Sequence, residues 1–252
     1  MAKVNAADVL RRELAAPRYR AAVVNLGSAT DAYQPVERDL RITRAVLEVL
    51  AESRHPVAIV TKASLVERDL DLLAPLAKER LAAAFISVTT LDSELSRRLE
   101  PRAAAPARRL RTIETLARAG VPVCVNVAPV IPFVNEPEIE RILEAAAHAG
   151  AGGAFYTVLR LPWEVAPLFR QWLQVHYPLR AERVMNRVRD MRDGSDYKAD
   201  FGTRMKGSGP WADLIRQRFD KSCARLGLGR GRFELRDDLF RLPRLGPQLD
   251  LF

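Results

Sequence analysis

The stretch VVNLGSATDAYQPVE, residues 23–37, changes character halfway along. An apolar run ends at Leu26 and gives way to Ser28, Thr30, Asp31, Tyr33, Gln34 and Glu37. A strand buried on both faces has no use for so many hydrogen-bonding groups at its carboxyl end, whereas a ligand-binding turn does. The run itself, AAVVNL (21–26), is the first of five. VAIVT (57–61), AFISVT (84–89), PVCVNV (122–127) and AFYTVL (154–159) follow, and none alternates cleanly with polar residues. Each reads as a strand covered on both sides.

Helical patterns fill the intervals. RDLRITRAVLEVLAE (38–52) follows the first strand and VERDLDLLAPLAKERL (66–81) the second. APARRLRTIETLARAG (105–120) and EPEIERILEAAAHAG (136–150) close on Gly120 and Gly150, where a helix C-terminus favours glycine. Strand–helix units of about 30 residues predict an α/β fold with a parallel sheet and right-handed crossovers. In such folds function gathers at the carboxyl ends of the strands. Those ends carry GSATDAYQPVE, then Lys62, then Ser87 with Thr89 and Thr90, then Asn126 before APVIPFVNE, then Arg160 before LPWE. Five polar edges on one rim answer what the turn at 27–37 is for.

After Pro162 the pattern changes to a helical stretch (165–192), a loop (193–213), a helix (214–227) and a short extended piece (232–243). The expected organisation is a partial barrel over 1–162, a basic helical subdomain over 163–245 and an extended tail over 246–252. Charge follows this division. Of the net +9, a balance of +8 falls between residues 165 and 246, which suits either a polyanionic partner or a solvated helical face. The 252 residues contain no apolar run long enough to span a membrane and open on no secretion signal, so a cytoplasmic location is expected. Cys124 and Cys223 form no C-x-x-C pair, and His55, His148 and His176 share no ligand spacing, so no metal site is expected from these residues.

Taken in order, GSATDAYQPVE, VTK (60–62), FISVTT, LEPRAAAPARRL, APVIPFVNE, YTVLRLPWEV and YKADFGTRMKGSGPWA span nearly the whole chain. The set resembles the radical S-adenosylmethionine superfamily, in the branch described as spore-photoproduct-lyase-like or DNA-repair-photolyase-like. The resemblance implies a partial (β/α)6 TIM-like barrel in which these five strands are strands two to six. It also implies two cofactors, S-adenosylmethionine and a [4Fe-4S] cluster held by C-x-x-x-C-x-x-C after the first strand. The cluster's electron converts S-adenosylmethionine to a radical that takes hydrogen from substrate. The motif is missing here, and two distant cysteines cannot supply three thiolates. The expectation is a radical enzyme acting on nucleic acid in DNA repair, truncated before its cluster loop and inactive alone. The alternative is a non-catalytic DNA- or sliding-clamp-binding protein.

By the same resemblance, Ser28, Thr30 and Asp31 would meet the methionine end of the cofactor, and Lys62 its carboxylate. Ser87 would serve the same moiety, Asn126 the ribose hydroxyls, and Arg160 the adenine or a substrate phosphate. Structural alternatives stand beside each: an Asx-type turn for Ser28 and Asp31, a solvated Lys62, backbone bonding for Ser87 and Asn126. Asn135 reads as a helix N-cap, and Glu37 and Glu100 as caps or ion-pair partners. Spore photoproduct lyases use a cysteine hydrogen donor near the first of these turns; Gly27-Ser28-Ala29 offers none, which leaves the substrate unassigned. Phe133 stands where the family often has glycine, which narrows the rim. In TRMKGSGPW, Arg204 and Lys206 with the loop amides could grip a phosphate or belong to an ordinary surface loop.

The last five residues, QLDLF, look like the pentapeptide with which bacterial polymerases and repair proteins dock on the sliding clamp. Gln248 would supply amide hydrogen bonds, and Leu249, Leu251 and Phe252 would fill an apolar cleft. A tail folded onto its own domain is the structural alternative. In a pull-down with the purified clamp, Leu251→Ala combined with Phe252→Ala is expected to abolish binding; binding that survives the double substitution removes the clamp reading.

Overall fold

β-branched and alanine-rich runs become strands where their main-chain groups find parallel neighbours, in a computed structural model that describes residues 2–230 and 233–243. β1 (Val24–Leu26), β2 (Val57–Thr61), β3 (Ala82–Ser87), β4 (Val123–Val130) and β5 (Gly153–Val158) are parallel and lie in one sheet in sequence order. Val24 stands opposite Val57 and Leu26 opposite Ile59, and Val57 to Thr61 pair with Ala82 to Ile86. The first strand is three residues long where six were expected. Its ladder begins with Val24 N donating to the carbonyl of Pro56, a residue that has no N–H to return.

A sixth strand, β6 (Gly229–Arg230), pairs with β5 through Gly153 and Ala154. It was not legible in the sequence because two residues in a glycine-rich stretch carry no periodicity.

The helices follow the expected spans with two breaks; the stretch 165–192 is interrupted by the 3-10 turn Pro178–Arg180, and the other break is the more informative. The segment 38–52 splits at Arg41, which has φ of 50°, into α2 (Glu37–Leu40) and α3 (Ile42–Glu52). The Glu37 carboxylate accepts from Thr43 N at 3.0 Å and Arg44 N at 3.3 Å, so it caps α3 from outside the helix. α4 (Leu70–Lys78) is preceded by a 3-10 turn, Ser64–Asp69. α1 (Ala6–Leu14), α5 (Ser93–Leu99), α6 (Pro106–Arg118), α7 (Ile139–His148), α8 (Val165–His176), α9 (Ala181–Asp190) and α10 (Gly209–Leu226) complete the set among the described residues. α10 starts five residues earlier than the sequence indicated, with Pro210 in its first turn, where the missing N–H costs nothing.

The described residues fall into two compact units. One comprises residues 2–86, 111–124 and 233–243, the other 87–110 and 125–230. In the second, α9 buries Ala181, Val184, Met185 and Val188, a spacing of three and four residues that keeps them on one face. α7 buries Ile139, Ile142, Leu143 and Ala146. Each large side chain there contributes about 1.5–3 kcal/mol. Arg218 of α10 fixes the register by pairing with Glu136 and Glu140.

In the first unit the extended piece 233–243 forms a strap. Arg236 N donates to Arg80 O and Arg241 N to Ser53 O, which places it over the loops that lead into β3 and β2. Phe240 packs its ring 5.4 Å from Tyr19 and 5.5 Å from His55. His55 is fully buried, with Nδ1 3.0 Å from Pro56 O and Nε2 2.7 Å from the Tyr19 hydroxyl. Both contacts are satisfied by one neutral tautomer, with Nδ1–H donating and Nε2 accepting. Burial pushes the His55 pKa below its ordinary 6.5, against the smaller upward pull of the Pro56 carbonyl. A depressed histidine pKa means that stability is complete above 6.5 and declines as pH falls toward the folded-state value. Between pH 7.5 and 5.5 the unfolding free energy is expected to fall more steeply for the wild type than for His55→Gln, by up to about 1 kcal/mol per pH unit. Parallel urea-derived profiles for the two proteins count against this.

Candidate functional site

At the carboxyl end of β1 the chain turns at Gly27, with φ of +91°. A Cβ there would lie 2.0 Å from Val60 O, so the backbone passes too close to β2 for any other residue. Asp31 then locks the turn to the end of β2. Its Oδ1 accepts from the Thr61 hydroxyl at 2.7 Å and from Tyr33 N at 2.9 Å, and its Oδ2 accepts from Lys62 N at 2.8 Å. Below the turn, the buried Tyr33 hydroxyl donates to Asp69 Oδ2 at 3.0 Å. Asp69 is fully buried and held by Arg44 and Arg68, and Arg68 reaches on to Glu37. Burial, with Asp69 beside it, pushes the Tyr33 hydroxyl far above its ordinary pKa, so it remains a donor.

Asp31 and Lys62 are thus brought together, with the carboxylate holding the lysine's main chain. The Asx turn read for Asp31 is present, and the same side chain also clasps two strand ends. Ser28 and Thr30 are exposed on this turn, and Lys62 is half-buried.

In the second unit, Asn126 of β4 points its Nδ2 at the buried Ser87 hydroxyl, 3.4 Å away. The Asn126 Oδ1 is buried and has no hydrogen-bond partner. A buried amide acceptor without a donor is uncommon, and this one stands midway along β4, where a ligand donor would satisfy it. The main chain around the pair is held by Arg109, only 2% exposed, which donates to Ser87 O, Ala104 O and Glu100 Oε2. Glu100 in turn lies 3.0 Å from the Thr89 hydroxyl. Glu138 accepts from the Thr90 hydroxyl and from Leu91 N.

Asn135 stands at the N-cap position of the 3-10 turn Glu136–Glu138, but its side chain caps nothing. Its Oδ1 accepts from Ile131 N at 2.6 Å, and its Nδ2 donates to Thr89 O at 2.6 Å and Pro129 O at 2.8 Å. One amide thus pairs Ile131 N just after β4, Pro129 O within it and Thr89 O after β3. Arg109, Glu138 and this role of Asn135 were missed in the sequence. Arg109 is one arginine among several in RRLR, and helical periodicity does not say which of them is drawn inward.

Arg160, after β5, bonds to neither Ser87 nor Asn126. Its Nη2 donates to the Tyr197 hydroxyl at 3.0 Å, and its Nη1 lies 3.7 Å from Met205 Sδ. Arg204 and Lys206 do not converge. The Lys206 ammonium donates to Tyr156 O at 2.9 Å and lies 3.3 Å over the Tyr156 ring, while Arg204 lies 4.1 Å over Phe201. Phe133 adopts a positive φ of 59°, the conformation glycine takes easily, and packs its ring, tilted by 51°, 5.2 Å from that of Trp211. Gln248, Leu249, Leu251 and Phe252 lie outside the described residues.

Residues present do not fit an iron–sulfur cluster. Cys124 is buried in β4 and Cys223 in α10, and no group of three His, Cys, Asp or Glu capable of holding a metal occurs among the described residues. The open Asn126 acceptor fits an organic ligand that offers a hydroxyl or N–H donor. Asp31→Ala removes three hydrogen bonds at once and is expected to destabilise the protein by about 2–4 kcal/mol in urea unfolding; a loss under about 0.5 kcal/mol shows that the clasp is dispensable.

Comparison with known proteins places the chain. The profile of the radical SAM superfamily matches residues 3–146. Uncharacterized proteins of Mycobacterium bovis and Mycobacterium tuberculosis are 34% identical over 191 residues, covering 75% of this chain and 55% of theirs. One from Methanocaldococcus jannaschii is 25% identical over 165 residues, covering 66% of this chain and 60% of its own. The chain therefore spans little more than half the length of the curated relatives it matches. Among solved structures, a mutant spore photoproduct lyase with bound AdoMet and dinucleoside spore photoproduct superposes with a TM-score of 0.54 at 13% identity. The match covers 90% of this chain and 65% of that one. Another form of the lyase, complexed with dinucleoside spore photoproduct, gives 0.54 at 12% identity over the same shares. At such identities the likeness is one of fold. The matched profile and the parallel sheet agree: the chain belongs to the radical SAM superfamily.

Proposed function

We propose that this chain is the S-adenosylmethionine-binding part of a radical SAM-type enzyme that acts on nucleic acid. The observation that carries the reading is the buried, unpartnered Asn126 Oδ1 beside the Ser87 hydroxyl. In this reading Asn126 accepts from a ribose hydroxyl, and Ser87 bonds the methionine moiety. The Lys62 ammonium neutralises the methionine carboxylate, with its main chain fixed by Asp31. Arg109 and Glu100 keep the Ser87 carbonyl in place. S-adenosylmethionine supplies the radical chemistry of the family once reduced. The thiolates for a cluster do not come from Cys124 and Cys223, so the chain alone is expected to bind cofactor without turning it over.

The nucleic-acid assignment draws on the +8 balance between residues 165 and 246, and on the dinucleoside named with the lyase structure. The DNA-repair role and the clamp contact of the tail are part of the same proposal. We place the protein in the cytoplasm, where two reduced, buried thiols are ordinary; no described helix is long and apolar enough to cross a membrane.

Calorimetric titration of S-adenosylmethionine into the chain tests the reading. Saturable binding is expected, weakened about tenfold in Asn126→Ala and at least as much in Lys62→Ala, since one hydrogen bond to a charged or buried partner is worth about 1.4 kcal/mol. No saturable binding, together with salt-sensitive binding of DNA, overturns it in favour of a non-catalytic DNA-binding protein.

A further inference from the structure

Among the described residues, buried and half-buried arginines are mostly matched with carboxylates. Arg109 meets Glu100, Arg68 meets Asp69 and Glu37, and Arg218 meets Glu136 and Glu140. Arg192 is the exception. It is 1% exposed, yet its Nη1 and Nη2 donate only to the neutral carbonyls of Thr203 and Leu159, both at 3.0 Å, and its Nε has no partner. Arg160 follows Leu159 directly, so the second guanidinium stands beside the first, and its buried Nε is also unpartnered. Met205 O accepts from Val158 N at 2.8 Å, which draws the loop 203–206 against the end of β5.

The nearby acidic residues do not answer this charge. Asp193 and Asp200 are engaged by Lys198, and Asp196 by Arg170 and Arg189. Burial and then the charge of Arg160 both pull the Arg192 pKa down, as expected for a cation with no counter-ion. Buried guanidinium pairs without a carboxylate are rare unless an anion completes them. Tyr197 adds a donor: its hydroxyl accepts from Arg160 Nη2 and so keeps its own proton to give.

We propose that Arg160, Arg192 and Tyr197 form a binding site for a phosphate group of the ligand at the carboxyl end of β5. Arg160, half-buried, makes the contact as a planar fork. Arg192 sits behind it as a fixed positive charge, and Tyr197 donates a third hydrogen bond to a tetrahedral oxyanion. The inference deepens the nucleic-acid reading and rests on it only for the source of the phosphate, a phosphodiester between two nucleosides. A carboxylate would satisfy the same fork, so the test separates the two.

Binding of the dinucleotide d(TpT), of thymidine and of inorganic phosphate is followed by intrinsic fluorescence and by phosphorus NMR on the full chain without cofactor. The expected result is d(TpT) binding at least tenfold tighter than thymidine, with inorganic phosphate competing and free methionine not. Arg160→Gln should bring d(TpT) down to the thymidine level, and Arg192→Lys, which keeps the charge, should give an intermediate loss. If Arg192→Lys does not fold, Arg160→Gln and Tyr197→Phe, expected to weaken d(TpT) about threefold, decide the matter. Equal binding of d(TpT) and thymidine overturns the proposal, as does no phosphate binding, a preference unchanged in Arg160→Gln, or competition by methionine alone. Because no S-adenosylmethionine is present, these results are separate from the failure or success of cofactor binding.

Discussion

A parallel strand that ends in a turn leaves N–H and C=O groups without a neighbouring strand, and buried groups of that kind must be paired. In this chain side chains do the pairing. Asp31 takes up Lys62 N and Tyr33 N, Asn135 joins Ile131, Thr89 and Pro129, Glu138 holds Leu91 N, and Arg109 holds the Ser87 carbonyl. Each of these is polar, with Asn135 and Arg109 buried and Asp31 and Glu138 half-buried, so the strand ends are rigid without being apolar. That rigidity is what a ligand-binding edge requires, since groups already oriented lose little freedom on contact.

The chain also separates charges that are structural from charges that are not. Around Asp69 the carboxylates of Asp69 and Glu37 are met by the guanidiniums of Arg44 and Arg68. Such a cluster supports the Tyr33 turn from below and has no surplus charge for a ligand. At the end of β5 the balance is the reverse, with cations held by main-chain carbonyls and an aromatic hydroxyl. Composition alone registers both as arginine-rich sequence. Only the pattern of partners distinguishes a closed ion-pair network from an open one.

Much of the fold was legible because apolar runs and glycine-terminated helices are written into local sequence. VAIVT became β2 without a residue's difference, and the segments ending at Gly120 and Gly150 became α6 and α7. What could not be read depended on groups distant in sequence. The short β6 exists because β5 offers Gly153 and Ala154 as partners. Asn135 looked like a cap because N-cap preference is a local rule, while its actual partners lie at Thr89, Pro129 and Ile131. Of the rim residues, Ser87, Asn126 and Lys62 were visible as polar residues ending apolar runs. Arg192 was not, because it sits in a helical arginine pattern whose inward member only packing selects.

The strap 233–243 has a mechanical consequence. Arg236, Phe240 and Arg241 tie it to the loops before β3 and β2, at the amino ends of strands whose carboxyl ends carry the Asp31 turn. A five-residue strand separates those two ends by roughly 16 Å. Tension applied to the chain beyond residue 243 therefore enters the first unit through its base. It must shear two main-chain hydrogen bonds and an aromatic packing contact before it reaches the loops, and it leaves the turn holding Lys62 unloaded.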